Sequence, residues 1–300
     1  MNRIPLIIDT DVALGVHHEG RPRDIDDGFA IAEAINSPEL DLRLVSTVFG
    51  NAPLVETYRV AREIVALKQA DVPVVAGADK RMETGTASNA AVDAMAELLR
   101  HTPCAVAAIG PLTNLGLLAA HHPEAFANIT TLIIVAGRSP GRRFYLGDTG
   151  PVQDFNFEND VLATTTMLAA ASPRTTIVCA GFELTSQICI TEQDLQTIAA
   201  RNTPTAAYFY RNSLDWCRHW TRTFPTDAGF HPWDSAAIAY LKHPDYFTAD
   251  RRGWRITPRP KGPVWLECDP DAAAKPLTYC TGFAPGGAAA FVRDVVESVY

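Results

Sequence analysis

The chain has 300 residues, 47% of them hydrophobic, with a formal net charge of −8 and a pI near 5.5. That length can bury a sizeable core, and the acidic balance leaves no basic footprint for binding nucleic acid. No apolar run reaches the ~20 residues that cross a bilayer, so no membrane partner is expected. The start, Met1-Asn2-Arg3-Ile4-Pro5, runs into a strand and lacks the layout of a signal peptide. Six scattered cysteines (Cys104, Cys179, Cys189, Cys217, Cys268, Cys280) form no CxxC pair, which argues against a zinc site or disulfides and for a cytoplasmic protein.

In chain order, Pro5-Leu6-Ile7-Ile8 predicts a buried strand over 4–8 that ends in Asp9-Thr10-Asp11. Fourteen residues follow, Val12 to Ile25, in which Gly15, Gly20 and Pro22 mark a loop, read residue by residue as a solvated insertion. Asp26-Asp27 then open a helical pattern over 28–35. Further strands are expected at 42–48, 73–76, 104–109, 131–136 and 174–179, with helices near 54–69, 88–101, 111–121, 158–171 and 191–201. This βαβ rhythm predicts an α/β fold with a mostly parallel open sheet flanked by helices. Residues 204–242 read as helical and aromatic, a cap over the carboxyl ends of the strands. Short strands are expected over 253–281 and a closing helix over 286–298; with no repeat or linker, residues 1–300 read as a single domain.

Four carboxylates at one strand-to-helix junction repel one another unless a cation sits among them. Helix capping and the helix dipole account for one or two of them, not four. An all-oxygen site suits Ca²⁺ or Mg²⁺. Other polar residues fall at the ends of the predicted strands: Asn51 after Gly50, Gly110-Pro111-Leu112-Thr113-Asn114, Gly137-Arg138 and Gly181-Phe182-Glu183. Ligands of open parallel sheets bind at that edge, so the series describes a lined pocket.

Asp9-x-Asp11, Asp26-Asp27, Phe49-Gly50-Asn51, Gly110-Pro111-Leu112-Thr113-Asn114, Asp154-Phe155-Asn156 and Trp233-Asp234 together resemble the inosine–uridine-preferring nucleoside hydrolases, over essentially the whole chain. The resemblance implies Ca²⁺-dependent hydrolysis of the N-glycosidic bond of a ribonucleoside to ribose and free base. It implies that Asp11, Asp27, Asp234 and the main-chain carbonyl of Ile109 hold the ion, and that Asp11 takes the proton of the attacking water. Asp26, Asn51 and Asn156 would meet the ribose hydroxyls, and Asp9 would support the cluster from behind. Family members are usually homodimers or homotetramers, acting on a small-molecule nucleoside.

Three departures stand out. The family has three residues between its aspartate pairs where this chain has fourteen, and His17, His18 or Arg21 is a candidate contact to the leaving group or to a substrate substituent. Asp154 stands where the family has Glu at the 5′ end of the ribose, and Asp148 matches a nearby Asn in spacing; Arg142 and Arg143 between them raise the possibility of an anionic substituent. Trp233 replaces a leaving-group His, which resembles the purine-preferring branch and implies base stacking. Tyr208, Trp216 and Trp220 are further candidates to cover the base, while Phe209 and Leu214 fit the core and Glu183 a supporting role. Alternatives are a hydrolase of a modified nucleoside or other N-ribosyl compound, a non-catalytic nucleoside- or ribose-binding homologue, and, more remotely, a Mg²⁺ phosphatase of the haloacid-dehalogenase type, which leaves Asn51, Asn156 and Asp234 unused. An EF-hand is excluded because the position twelfth from Asp9 is Gly20.

Overall fold

The computed structural model describes residues 3–146, 151–259 and 264–300. Along the chain come β1 (Ile4–Thr10), a small hairpin of β2 (His17–His18) and β3 (Arg21–Pro22), α1 (Asp26–Asn36), β4 (Leu40–Thr47), α2 (Leu54–Leu67), β5 (Val74–Ala76), α3 (Ala90–His101), β6 (Cys104–Ala108) and α4 (Thr113–His121). Then follow α5 (Pro123–Phe126), β7 (Ile129–Ile134), α6 (Phe155–Asn159), α7 (Val161–Ala170), β8 (Thr176–Cys179), α8 (Phe182–Thr185), β9 (Ile190–Thr191) and α9 (Glu192–Ala199). The last part holds α10 (Pro204–Thr223), β10 (Gly229–Phe230), α11 (Ser235–Lys242), β11 (Phe247–Thr257), β12 (Trp265–Asp269), β13 (Leu277–Phe283) and α12 (Gly287–Glu297).

Nine strands form one sheet in the order β12-β11-β13-β8-β7-β6-β1-β4-β5. From β5 to β13 every neighbouring pair is parallel, and only β11 runs against its neighbours. Alternation along β1 divides its side chains: Leu6 and Ile8 join the core on one face, Ile7 the core on the other. Phe29 of α1, Ile64 of α2, Phe209 of α10 and Phe291 of α12 pack on the first face. Met95 of α3, Leu115 of α4 and Met167 of α7 pack on the second. A parallel sheet covered on both faces explains why its strands read as unbroken apolar runs.

Local chemistry sets several boundaries. The helix expected over 158–171 divides at Asp160, whose carboxylate caps Ala163 N at 3.0 Å while accepting from Thr113 Oγ1 at 2.7 Å. The stretch 204–242 is two helices, because Pro225 follows Phe224 and a helix seldom runs through the residue before proline. The insertion is solvated only in part: His17, Glu19, Gly20 and Arg21 are exposed. Val12, Ala13, Leu14 and Val16 are buried, and residues 17–22 form a hairpin whose tip, Glu19 and Gly20, has φ of 53° and 76°. Two consecutive left-handed residues are the signature of a tight two-residue hairpin turn.

Candidate active site

β1 delivers Asp9 and Asp11 to its carboxyl end, and α1 starts with Asp26 and Asp27 in its first turn, where the helix dipole favours negative charge. Asp234 precedes α11 and comes from the far end of the chain. It nonetheless joins the N-terminal acids. Asp26, Asp27 and Asp234 each offer a carboxylate oxygen within 4.8 Å of the others, and Asp234 N donates to Asp26 Oδ2 at 3.0 Å. Asp11 N donates to Asp27 Oδ1 at 3.2 Å, and Thr10 Oγ1 donates to the same oxygen. Asp11 is seated by Asn51 N, which donates to its Oδ2 at 2.6 Å. Gly50 makes this seat possible, since a Cβ there would lie 2.0 Å from that oxygen.

All of these acids are buried, and their proton affinities record it. Desolvation, then the charge of Asp27, raises Asp11 well above the usual carboxylate range. Asp234 is raised by desolvation and then by Asp26, Asp27 and Asp11, so the acids from both chain ends feel one another. Burial pushes Asp27 up to about 6 even though Thr10 Oγ1 and Asp11 N donate to it. Asp9 is pushed up to about 7 by burial, against the opposing bonds from Ser46 Oγ at 2.6 Å and Asn114 Nδ2 at 2.8 Å. Asp11 Oδ1 and Asp27 Oδ2 are buried with no hydrogen-bond partner among the described residues. Orphaned carboxylate oxygens inside a ring of repelling acids fit a hard divalent cation, and the all-oxygen donor set excludes a preference for soft metals.

A cavity of about 420 Å³ opens over this cluster. Asp26, Asn51, Ile109, Asn156 and Asp234 face it from the acidic end. Asp11, Asp27 and Asp9 do not line it and lie behind those residues, with Asp9 tied to Ser46 and Asn114. Asn156 spends its Nδ2 hydrogens on Ile109 O at 2.9 Å and Val135 O at 3.2 Å, which leaves its Oδ1 as the acceptor. The aromatic side is built by Phe182, Trp216, Trp220, Phe224 and Trp233, with His219 among them. Phe144, Phe182 and Trp233 stack in series, at 4.3 Å and 10° and then 5.0 Å and 17°.

At the third side Asp154 accepts from Gly137 N at 2.9 Å and is pushed up to about 7 by burial, which outweighs the charge of Arg138. Arg138 is itself buried, over the rings of Phe144 and Trp265 at 4.0 and 4.5 Å, and pairs with Glu158 at 3.2 Å. Arg142 and Arg143 are exposed and do not line the cavity, so the anionic-substituent expectation loses its carriers. Asp148 lies outside the described residues.

Several other expectations change. His17 sits 3.7 Å from Asp215 and His18 pairs across the hairpin with Arg21, neither lining this cavity. Tyr208 donates to Glu63 at 3.0 Å and is no cover for a base. Trp220 does line the cavity, its Nε1 held by Asp227 at 3.0 Å. Asn114 and Glu183 brace the walls: Asn114 holds Asp9, and Glu183 accepts from Ser139 N and Oγ at 2.8 Å each. The insertion contributes Arg21, Pro22, Arg23 and Asp24 to the cavity. Asp24, pushed up to about 7 by burial, and His219 escaped the sequence reading: Asp24 sits two residues before Asp26 in a segment read as loop, and His219 reaches the cavity only through the packing of α10.

Residues 6–271 match the sequence profile described as inosine-uridine preferring nucleoside hydrolase. The non-specific ribonucleoside hydrolase RihC of Klebsiella pneumoniae is 30% identical over 272 aligned positions, covering 82% of this chain and 81% of that protein. The protein of the same name from Salmonella schwarzengrund is 32% identical over 250 positions, covering 75% and 77%. Among solved structures, a plant nucleoside hydrolase superposes with a TM-score of 0.81 at 19% identity, over 98% of this chain and 99% of its own. A purine-preferring ribonucleoside hydrolase from Gardnerella vaginalis gives 0.81 at 18% identity, with the same coverage. The expected fold is therefore the observed one, and the chain belongs to the inosine–uridine preferring nucleoside hydrolase family.

Proposed function

We propose that the protein hydrolyses the N-glycosidic bond of ribonucleosides, purine nucleosides foremost, with Asp11 as the base that takes a proton from the attacking water. The observation that carries this reading is the meeting of Asp234 with Asp26, Asp27 and Asp11 beneath a cavity walled by aromatic rings. Asp11, Asp27, Asp234 and the free lone pair of Ile109 O would hold a Ca²⁺ ion. Bound there, the ion would orient water and the ribose diol and make that water a stronger acid. Asp26 and the Oδ1 of Asn156 accept hydrogen bonds from ribose hydroxyls, with Asn51 beside them. Asp154 stands at the 5′ end.

As the bond breaks, C1′ becomes cationic, in a manner related to O-glycoside hydrolysis. The surrounding carboxylates stabilise that charge more than they stabilise the neutral substrate, and this difference lowers the barrier. Trp233, backed by Phe182, offers a flat face to the base. His231 is not positioned as a leaving-group acid, because its Nδ1 meets Ile188 O at 2.5 Å and its Nε2 faces Asp227. Five of six cysteines are buried, in keeping with a protein of the reducing cytoplasm, and a homodimer or homotetramer is part of the same proposal.

Incubation with inosine, guanosine, adenosine, uridine and cytidine, read by reducing-sugar release, tests the activity. Wild type should release ribose from the purine nucleosides, and Asp11→Ala should lose at least about 10³-fold in kcat while keeping its fold. Near-normal turnover by that variant would overturn the role of Asp11.

A further inference from the structure

The insertion between the two aspartate pairs raises a question of its own: which group meets the departing base? A departing purine carries the electrons of the broken bond, and a fixed positive charge stabilises it. The described cationic side chains near the cavity are few, and most are engaged. Arg23 is paired with Glu19 at 2.6 Å. Arg138 is buried against Glu158. His219 is biased to its neutral form by burial and by the nearby charges of Arg222 and Arg21.

Arg21 differs from all of these. It lines the cavity, is exposed, and its side chain makes no hydrogen bond or ion pair among the described residues. Its backbone is held by the pairing of His18 with Arg21 and of His17 with Pro22, across a two-residue turn. The hairpin leans on α10, where His17 faces Asp215, and α10 also supplies Trp216 and Trp220 to the aromatic wall. The guanidinium therefore issues from a fixed strand next to the surface that stacks the base.

We propose that Arg21 is the leaving-group contact and that it selects 6-oxopurine ribonucleosides by donating to O6 and N7 of the base. The inference rests on the nucleoside hydrolase reading above. A guanidinium presents two parallel N–H donors, which match the two adjacent acceptors of hypoxanthine or guanine; adenine replaces O6 with an amino donor and cannot pair in this way. In the reaction the C1′–N9 bond breaks and its electron pair passes to N9 and spreads toward N7 and O6. The water oxygen bonds to C1′, its proton goes to Asp11, and the base leaves as an anion that takes a proton from solvent. Arg21 stabilises that anion without giving up a proton, so no acidic side chain is needed beside Trp233.

The test compares kcat/KM of wild type, Arg21→Ala and Arg21→Lys on inosine, adenosine and p-nitrophenyl riboside. The last has a stable leaving anion that needs little assistance. Wild type should favour inosine over adenosine by at least about tenfold. Arg21→Ala should lose about 10- to 100-fold on inosine, mostly in kcat, lose less than about threefold on p-nitrophenyl riboside, and erase the preference over adenosine. Arg21→Lys should regain part of the rate and little of the preference, since it restores charge but not the fork. An unchanged inosine rate in Arg21→Ala, an equal loss on inosine and p-nitrophenyl riboside, or wild-type cleavage of p-nitrophenyl riboside without cleavage of inosine would overturn the role of Arg21 alone. Failure of wild type on all three substrates would instead overturn the N-glycosidase reading.

Discussion

Stripping divalent cations from the protein should make its stability fall as pH rises, and the buried acids give the size of the effect. Without a cation, burial pushes Asp27 up to about 6 and Asp9 and Asp24 up to about 7. The ordinary aspartate value is near 4, so between pH 4 and 7 the native state holds protons that the unfolded chain has released. Stability then falls as pH rises through that window, and levels off above the folded values. One pKa unit is worth ~1.4 kcal/mol, so Asp27 alone contributes a loss of about 3 kcal/mol between pH 4 and 6. At roughly 2 °C per kcal/mol for a chain of this size, Tm should drop by about 6 °C or more. A cation among the carboxylates substitutes for those protons, so 1–10 mM Ca²⁺, an order-of-magnitude excess over a tight site, should abolish most of the drop. The assay is thermal melting from pH 4 to 8, with and without Ca²⁺ after chelation, where the difference between the two curves isolates the cluster. A flat or rising curve for the chelated protein, or curves that coincide, would refute the reasoning.

Replacing Trp233 with Ala should damage inosine cleavage at least about tenfold more than p-nitrophenyl riboside cleavage, because stacking acts on the base and not on the ribose. Equal losses on both would remove the stacking role. Asn114→Ala should destabilise the fold by about 1–3 kcal/mol in chemical denaturation, since it unpairs buried Ala78 N and takes from Asp9 Oδ1 one of its two donors, leaving Ser46. A cost below about 0.5 kcal/mol would mean that these bonds contribute little.

The parallel sheet was legible because its strands are buried on both faces and read as plain apolar runs, as at Leu6-Ile7-Ile8 and Cys104–Ala108. The acids were legible because two aspartate pairs, Asp9 with Asp11 and Asp26 with Asp27, flanking one strand-to-helix junction need a reason beyond helix capping. What local pattern does not encode is where a loop returns. Val12 to Ile25 carries turn residues typical of a surface excursion, yet Val12, Ala13, Leu14, Val16 and Ile25 are core and its end carries Arg21 and Asp24 into the cavity. Helical spacing alone likewise did not separate Tyr208, which turns to Glu63, from Trp216 and Trp220, which face the cavity. Asn114 and Glu183 were read at the pocket edge from their place after strands; both are bonded to the residues and backbone that shape it. Sequence order located that edge, and packing decided which side chains reach the substrate.

The most direct measurement is a calorimetric Ca²⁺ titration of chelated wild type against Asp234→Ala, with the fold of each checked by circular dichroism. One ion per chain should bind wild type, and the variant should bind at least about 100-fold more weakly, because a carboxylate from the far end of the chain completes the site. Equal affinity in the two proteins, or no binding to wild type, would contradict the convergence of Asp11, Asp27 and Asp234 on a single ion.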